Sequence, residues 1–307
     1  MPRPDHTPIF ALLSFFRDAD PIEDALSLGK VTGGGEMERY ICETCGVEYA
    51  DSESPPDACV ICEDERQYVG LNGQRWTTMV QMKDAGYKNE VREKEPGLLG
   101  IGIAPGFSIG QRALLVQTPE GNILYDCISL IDDETIDTIR GLGGIQGICL
   151  SHPHFYDAMI TWSHAFDRAP IYVPEADREF VMRPDPVIRY WDGSPRELVP
   201  GVTLVQCGGH FPGSAVLHWA GGAAGKGALL VGDSITVVSD RRYVSFMTSY
   251  PNLIPLSSKE VTAIVDAVEP YAFDRIYGGW WQRIVSIGAK EAVRRSAERY
   301  VRHIQGQ

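Results

Sequence analysis

The sequence predicts an α/β protein with a small four-cysteine module ahead of its main domain. Two observations support this fold class. From about residue 98 onward, short apolar runs alternate with helical patterns, as they do in proteins built from β-sheets covered by helices. Upstream of that point, residues 39–68 contain two Cys-x-x-Cys pairs, which are typical of a small metal-binding knuckle.

The composition restricts the classes of partner. The chain has 307 residues, of which 44% are hydrophobic, enough for one large domain and a small module. Its net charge of −13 repels a nucleic-acid backbone, and no stripe of lysine and arginine offsets that repulsion. No run of eighteen apolar residues is present, so no membrane span is expected. A small-molecule substrate is therefore the expected partner, with neither nucleic acid nor membrane.

Residues 1–37 are predicted to form a partly flexible N-terminal extension. They contain prolines, aspartates and a run of three glycines, and a short helix is expected around residues 21–29. The short apolar stretch over residues 9–16 lacks a small-residue cleavage pattern. The seven cysteines form an odd set that includes two close pairs, which favours reduced thiols. Both features predict a cytoplasmic location.

Residues 38–70 are predicted to form a zinc-ribbon-like or rubredoxin-like module. Its ligands are the cysteines of the two pairs: Cys42, Cys45, Cys59 and Cys62. The spacing suits two knuckles that close on one tetrahedral ion, and so short a segment needs a metal to fold. Structural zinc is the expected ion, and redox iron is the alternative. Residues 71–97 are expected to link the module to the main domain and to pack on it.

The main domain, residues 98–307, is predicted to alternate strands and helices. The strands are predicted from apolar runs bounded by turn residues: 98–104, 113–118, 122–127, 145–150, 171–173, 202–207, 215–219 and 228–231. The helices are predicted from apolar residues at helical spacing: 135–142, 158–167, 175–182, a helix between Ser257 and Pro270, and 288–304. A Ser257-x-x-Glu260 capping box marks the start of the fourth helix.

Three histidines and one aspartate form the most informative pattern in the sequence. His152 and His154 follow the strand at 145–150, and Pro153 fixes the backbone between them so that both rings can face one ion. His210 lies in a glycine-rich turn, and Asp233 follows another apolar strand. Imidazole and carboxylate are the ligands that zinc or iron takes where a coordination position stays open for water. The pattern therefore predicts a metal-dependent enzyme.

The order of these segments resembles that of the metallo-β-lactamase fold superfamily. The matching segments are His152-Pro-His154, Gly208-Gly-His210-Phe-Pro-Gly-Ser214 and Gly232-Asp-Ser234. The resemblance covers roughly residues 98–304 and implies an αββα sandwich with the metal ions at one edge, between the two sheets. Asp126 matches a frequent acidic residue of the family just ahead of the first helix.

Three positions depart from the family's pattern. Where the family has His-x-His-x-Asp-His, this chain has Tyr156 in place of the aspartate and Asp157 in place of the last histidine. The stretch over residues 276–281, where the family's final histidine would lie, contains none. We therefore expect one main-domain zinc ion, bound by the three histidines and Asp233. A second, weaker ion held by Asp157 and Asp233 is the alternative, as is iron in place of zinc.

The resemblance and the single metal ion imply hydrolysis of an ester, lactone or thioester of a small molecule by a metal-bound hydroxide. Asp157 or Asp233 would orient the water or move its proton, and Tyr156 would hydrogen-bond the developing oxyanion. Helix capping is the alternative role for Asp157, and core packing is the alternative for Tyr156.

Two stretches are expected to line the substrate pocket. Tyr250 and Asn252 lie in a loop ahead of the capped helix, and Trp280 and Trp281 lie where the family's final ligand is missing. Two other functions stay open at this stage. One is a redox protein with iron in the four-cysteine or His/Asp site, and the other is a non-catalytic protein whose ribbon serves for docking.

Overall fold

The computed structural model describes residues 36–306, which fold around two facing β-sheets. The predicted N-terminal extension, with its expected helix at 21–29, lies outside the described residues except for Glu36 and Met37. The strands in chain order are β1 (Tyr40–Cys42), β2 (Trp76–Thr78), β3 (Lys88–Glu95), β4 (Leu98–Ala104), β5 (Ala113–Val116), β6 (Ile123–Tyr125), β7 (Gly147–Cys149), β8 (Ile171–Pro174), β9 (Ile188–Trp191), β10 (Arg196–Val199), β11 (Val202–Gln206), β12 (Ala215–Trp219), β13 (Ala228–Leu230), β14 (Thr236–Val237), β15 (Val244–Ser245), β16 (Met247–Ser249), β17 (Ile254–Pro255), β18 (Arg275–Tyr277) and β19 (Ile284–Val285).

The helices are α1 (Val60–Glu63), α2 (Met79–Asp84), α3 (Asp133–Gly141), α4 (Met159–Ala165), α5 (Gly222–Gly225), α6 (Ser258–Val268) and α7 (Ala289–Ile304), with 3₁₀ turns at Pro153–Phe155 and Glu175–Phe180. The predicted capping box is confirmed, because the Ser257 side chain accepts from the Glu260 amide and the Glu260 side chain accepts from the Ser257 amide. Among the described residues, no helix combines the length and apolarity that crossing a bilayer requires.

A seven-stranded and a six-stranded sheet form the two inner layers. Strands β3 to β9 pair in sequence order, antiparallel up to β6 and parallel from β6 to β9. The other sheet has the order β10-β11-β12-β13-β18-β19, and only its β13/β18 pair is parallel. Each sheet therefore mixes antiparallel strands with a parallel segment, and the parallel segments end beside the candidate site.

The alternation of side chains along the strands builds two further layers. Leu217 of β12 and Leu230 of β13 pack between the sheets, whereas their neighbours Val216 and Leu229 belong to the apolar cluster that includes α6 and α7. Residues of α3 and α4 belong to a third cluster that covers the opposite face of the seven-stranded sheet. The order of layers is helix, sheet, sheet, helix, so the predicted αββα sandwich is confirmed.

Several elements differ from the sequence-based prediction. The stretch 71–97, predicted as a linker, supplies β2, which pairs with β1, as well as α2 and the edge strand β3. Strand β3 has the sequence KNEVREKE, and such a charged edge strand carries no apolar pattern. The predicted helix at 175–182 is a short 3₁₀ turn. Strands β9 and β10 were missed because charged residues, Arg189 in IRYW and Arg196-Glu197 in RELV, interrupt their apolar runs.

The four-cysteine module packs against the seven-stranded sheet rather than standing apart from it. Its cysteines belong to the same apolar cluster as α3 and α4. Buried Glu48 of the module pairs with Arg183 and accepts hydrogen bonds from Thr161 at 2.8 and 2.9 Å. The described residues 36–306 form a single compact unit, so the module and the sandwich share one core.

Candidate metal centres

Three histidines and one aspartate converge at one edge of the sandwich. His152 and His154 follow β7, His210 lies between β11 and β12, and Asp233 follows β13. One ligand atom of each residue lies within 4.8 Å of those of the other three. The His152 Nε2 and His210 Nε2 atoms lie 3.6 and 3.9 Å from Asp233 Oδ2, and His210 Nε2 lies 3.4 Å from His154 Nδ1. The structure thus brings together the four residues that the sequence predicted as main-site ligands.

The backbone around β13 explains why these residues meet. Gly232 has a φ of +49°, and a Cβ atom there would lie 2.4 Å from Ser151 Oγ. Only glycine permits this close approach between the end of β13 and the end of β7. The approach places Asp233 beside His152. The Ser151 hydroxyl lies 2.8 Å from His152 Nδ1, and the Met247 carbonyl lies 3.2 Å from His210 Nδ1. Both partners orient their rings with Nε2 toward the cluster.

The chemistry of this donor set fits a divalent metal ion. All four residues are buried, yet His152 Nε2 and Asp233 Oδ1 have no hydrogen-bond partner among the described residues. Burial and the neighbouring histidines hold the pKa of His152 well below its ordinary value, and burial lowers the pKa of His210 to about 4. The rings are therefore neutral, as metal ligation requires. Three imidazoles and one carboxylate suit zinc or iron.

The second cluster contains only cysteine. The Cys42 and Cys62 sulfurs lie 3.6 Å apart, as do those of Cys45 and Cys59. A tetrahedron with zinc–sulfur bonds of about 2.3 Å has an edge of roughly 3.8 Å, so the cluster already has nearly the size of a zinc site. Gln74 Nε2 lies 3.2 Å from Cys42 Sγ and donates to it. The four cysteines therefore form a candidate tetrathiolate site, as predicted.

Asp157 lies outside the His/Asp cluster. Its carboxylate accepts from Gln111 Nε2 at 2.8 and 2.9 Å and lies 2.6 Å from Ser129 Oγ, which donates to the Gly46 carbonyl. Gly46 has a φ of +89°, and a Cβ atom there would lie 2.3 Å from Asp157 Oδ1. Asp157 therefore ties the first cysteine knuckle to the main domain. It does not cap a helix either, since α4 has Ala158 at its N-cap and no side-chain cap.

Tyr156 and Asp126 are also buried, but neither belongs to the group of ligand atoms. The Tyr156 hydroxyl has no partner among the described residues and borders a small cavity beside Glu48 and Arg183 of the module interface. Asp126 Oδ1 accepts from the Ser151 amide at 2.7 Å, so this carboxyl holds the segment that leads into His152. Burial raises the pKa of Asp126 well above its ordinary value. Tyr156 thus occupies a packing position, and Asp126 a supporting one.

The four predicted pocket residues occupy three different environments. Tyr250 and Trp280 line one cavity near the cluster. Trp281 instead packs on Gly100 and Gly102 of β4, with Arg92 Cζ 4.4 Å from its ring centroid. The Asn252 amide donates to the Glu65 and Gln67 carbonyls, each at 3.0 Å. Tyr250 and Trp280 thus share one cavity, whereas Trp281 lies on the sheet and Asn252 contacts the module.

A clasp, which no pattern in the sequence indicates, joins the module to the metal centre. We define the clasp as residues 64–67 of the module and the turn 249–252. Besides the Asn252 contacts, Ser249 Oγ donates to the Arg66 carbonyl at 3.0 Å. The Arg66 guanidinium carbon lies 4.5 Å from the ring centroid of Phe211, which is adjacent to His210. Tyr250, inside the clasp, donates from its hydroxyl to the Asp233 carbonyl at 2.9 Å.

Comparisons with known proteins agree with this architecture. The chain matches the structure of VMB-1 with a TM-score of 0.53 and 11% identity, over 71% of this chain and 98% of that one. It matches the DIM-1 metallo-β-lactamase with a TM-score of 0.51 and 16% identity, over 69% and 98%. At such low identity these likenesses concern the fold alone. The chain thus has the metallo-β-lactamase fold, with a candidate metal centre at the sandwich edge.

A comparison of sequences identifies the family. The chain is 48% identical over 272 residues to the uncharacterized protein YmaE of Bacillus subtilis (strain 168), covering 88% of this chain and 98% of that protein. The chain belongs to the same family as YmaE. A scan against protein-family models gives no match.

Proposed function

We propose that the chain is a metal-dependent hydrolase that cleaves an ester, lactone or thioester of a small molecule. The observation that carries this proposal is the buried cluster of three neutral imidazoles and one carboxylate, whose ligand atoms lie within 4.8 Å of one another in a metallo-β-lactamase fold. We propose zinc as the ion. When bound there, zinc supplies Lewis acidity and lowers the pKa of water toward about 7.

Different side chains would bind the metal ion and orient the reactants. His152, His154 and His210 would hold the ion, and the Ser151 hydroxyl would fix the orientation of the His152 ring. Asp233 offers one oxygen to the cluster, and its other oxygen, Oδ1, has no partner among residues 36–306. With one oxygen directed at the ion, the Asp233 carboxylate would orient the attacking water or accept its proton through this second oxygen.

Asp157 and Tyr156 receive no catalytic role in this proposal. The Asp157 carboxylate is engaged by Gln111 and Ser129, and Tyr156 faces the module interface. A second ion between Asp157 and Asp233 is likewise unsupported, since Asp157 is absent from the group of ligand atoms within reach of one another. The proposed centre is therefore mononuclear.

Turnover of simple substrates by the zinc-loaded protein tests the proposal. We expect hydrolysis of at least one of 4-nitrophenyl acetate, a γ-lactone and an acetyl thioester, with kcat/KM falling at least about 100-fold in His210→Ala. The matched control is His303→Ala, an exposed histidine on α7, which should keep full activity. Equal rates for the wild type and His210→Ala would contradict the proposal and favour a non-catalytic metal centre.

A further inference from the structure

A cavity of about 540 Å³ lies beside the His/Asp cluster. Its walls include Thr236, Val237, Ser239, Tyr250, Trp280 and Arg283. Two of these walls connect it to the metal centre. The Tyr250 ring centroid lies 5.6 Å from that of His210, and the Trp280 ring packs edge-on against Phe155, whose centroid lies 4.6 Å from that of His152. A molecule in this cavity would therefore be one aromatic side chain away from two of the four ligands.

Arg283 is the one cation among the described wall residues, and none of the described carboxylates pairs with it. Within residues 36–306, no carboxylate lies within 4.0 Å of its guanidinium and the guanidinium donates no hydrogen bond. This is notable in a chain with 41 acidic and 28 basic residues. Nearby arginines are engaged, since Arg242 pairs with Asp240 and Arg241 donates to the Val238 and Gln282 carbonyls.

A tight turn fixes where Arg283 stands. Its backbone amide donates to the Trp280 carbonyl at 3.0 Å, and its carbonyl accepts from the Gly278 amide at 2.8 Å. A Cβ atom at Gly278 would lie 3.1 Å from Arg283 Cβ, so the turn tolerates little beyond glycine there. The turn joins β18 to β19 and presents Trp280 and Arg283 to one cavity. The backbone that carries the cation is thus fixed before a ligand arrives, which limits the ordering of the chain that binding requires.

We infer that Arg283 binds an anionic group of the substrate, so that the hydrolysed molecule is an acidic ester, lactone or thioester. The guanidinium offers parallel donors that match the oxygens of a carboxylate or a phosphate. Trp280 and Val237 would contact the apolar part of the same molecule, and the scissile bond would lie toward Tyr250 and the cluster. This assignment to the substrate rests on the proposed function, because it places the anion subsite in the pocket of that same centre.

Calorimetric binding of small probes tests the subsite without turnover. The probes are phenylacetate, phenyl phosphate and the neutral phenylacetamide, measured on zinc-loaded wild type, Arg283→Met and the control Arg302→Met, an exposed arginine on α7. Methionine keeps the aliphatic stem and removes the charge. We expect Arg283→Met to weaken the binding of one of the two anions about 10- to 100-fold and to leave the affinity for phenylacetamide unchanged. The anion whose binding weakens shows whether the subsite recognises a carboxylate or a phosphate. Equal affinities in wild type and Arg283→Met for both anions would overturn the inference.

Ester hydrolysis separates this inference from the proposed function. We expect the wild type to prefer mono-4-nitrophenyl succinate over 4-nitrophenyl butyrate, and Arg283→Met to lose that preference. If the anion binds through Arg283 and no ester, lactone or thioester is cleaved, the hydrolase proposal fails while the subsite stands. If esters are cleaved but Arg283→Met changes neither binding nor preference, the subsite fails while the hydrolase proposal stands.

Discussion

The two candidate metal clusters have the same number of ligands and the same depth of burial, but their chemistry differs. The module offers four cysteines in two knuckles, with sulfur–sulfur distances of 3.6 Å. The sandwich edge offers three histidines and Asp233, and it lies beside a cavity of about 540 Å³. The Oδ1 atom of Asp233 has no hydrogen-bond partner among the described residues. Closed thiolate sites stabilise folds, whereas imidazole and carboxylate sites with an open position carry out reactions. We therefore expect the thiolate cluster to stabilise the fold, and we propose the His/Asp cluster as the site of the reaction.

Removal of the module's ligands should have the largest effect on stability. We expect Cys42→Ser with Cys59→Ser to lose the module's metal and to lower the free energy of unfolding by about 3 kcal/mol or more, a melting-temperature fall of roughly 10 °C. The apolar cluster that the cysteines share with α3 and α4 should loosen. Thermal unfolding measures this effect. An unchanged melting temperature would mean that the module folds without metal.

Removal of a metal ligand from the His/Asp cluster should instead affect activity and metal content. We expect His210→Ala to abolish main-domain metal binding while lowering the melting temperature less than the double cysteine variant does. Ser151→Ala, which removes only the hydroxyl beside His152 Nδ1, should weaken metal affinity about 10- to 100-fold. Competition with a chelator measures both. A larger loss of stability in His210→Ala than in the cysteine variant would reverse the assignment of the two sites.

Asp157 should make stability depend on pH. Burial raises its pKa to about 8, whereas an unfolded aspartate titrates near 3.9. Between these values the folded chain holds a proton that the unfolded chain has released, so stability falls as pH rises. We expect Asp157→Asn to remove a slope of up to about 1.4 kcal/mol per pH unit between about pH 5 and pH 8. The control is Asp133→Asn, whose side chain is 96% exposed.

Denaturant unfolding at several pH values measures that slope. If wild type and Asp157→Asn give parallel curves, Asp157 is charged in the folded protein, and its hydrogen bonds from Gln111 outweigh its burial. Loss of a metal ion would itself change stability with pH, so the metal content of both proteins is measured at each pH.

Removal of a side chain from the clasp should have the smallest effect on stability. Asn252→Ala removes two hydrogen bonds to the module, worth about 1 kcal/mol each, and should lower the melting temperature by a few degrees. Both metal ions should stay bound, because Tyr250 keeps its own bond to the Asp233 carbonyl. Loss of the main-domain ion in this variant would show that the module holds the metal centre together.

The parts of this structure that were predictable from sequence depend on local patterns. The His-Pro-His motif around Pro153 and the two Cys-x-x-Cys pairs are such patterns. Each identifies metal ligands that lie within a few residues of one another in the chain. The unpredicted parts depend on distant pairings. Asn252 meets a carbonyl 187 residues away, and Asp157 turns toward Gln111 and Ser129 because Gly46 leaves room for it. Trp280 and Trp281 are adjacent in sequence, yet one lines the cavity and the other lies on β4.

The most direct test of the two-site account is metal content per chain, measured on wild type, Cys42→Ser/Cys59→Ser and His210→Ala purified without added metal. We expect two zinc ions in the wild type and one in each variant, with hydrolysis lost only in His210→Ala. Three ions in the wild type would contradict the mononuclear centre. Loss of both ions in either variant would contradict the independence of the two sites, and iron in either site would favour a redox function.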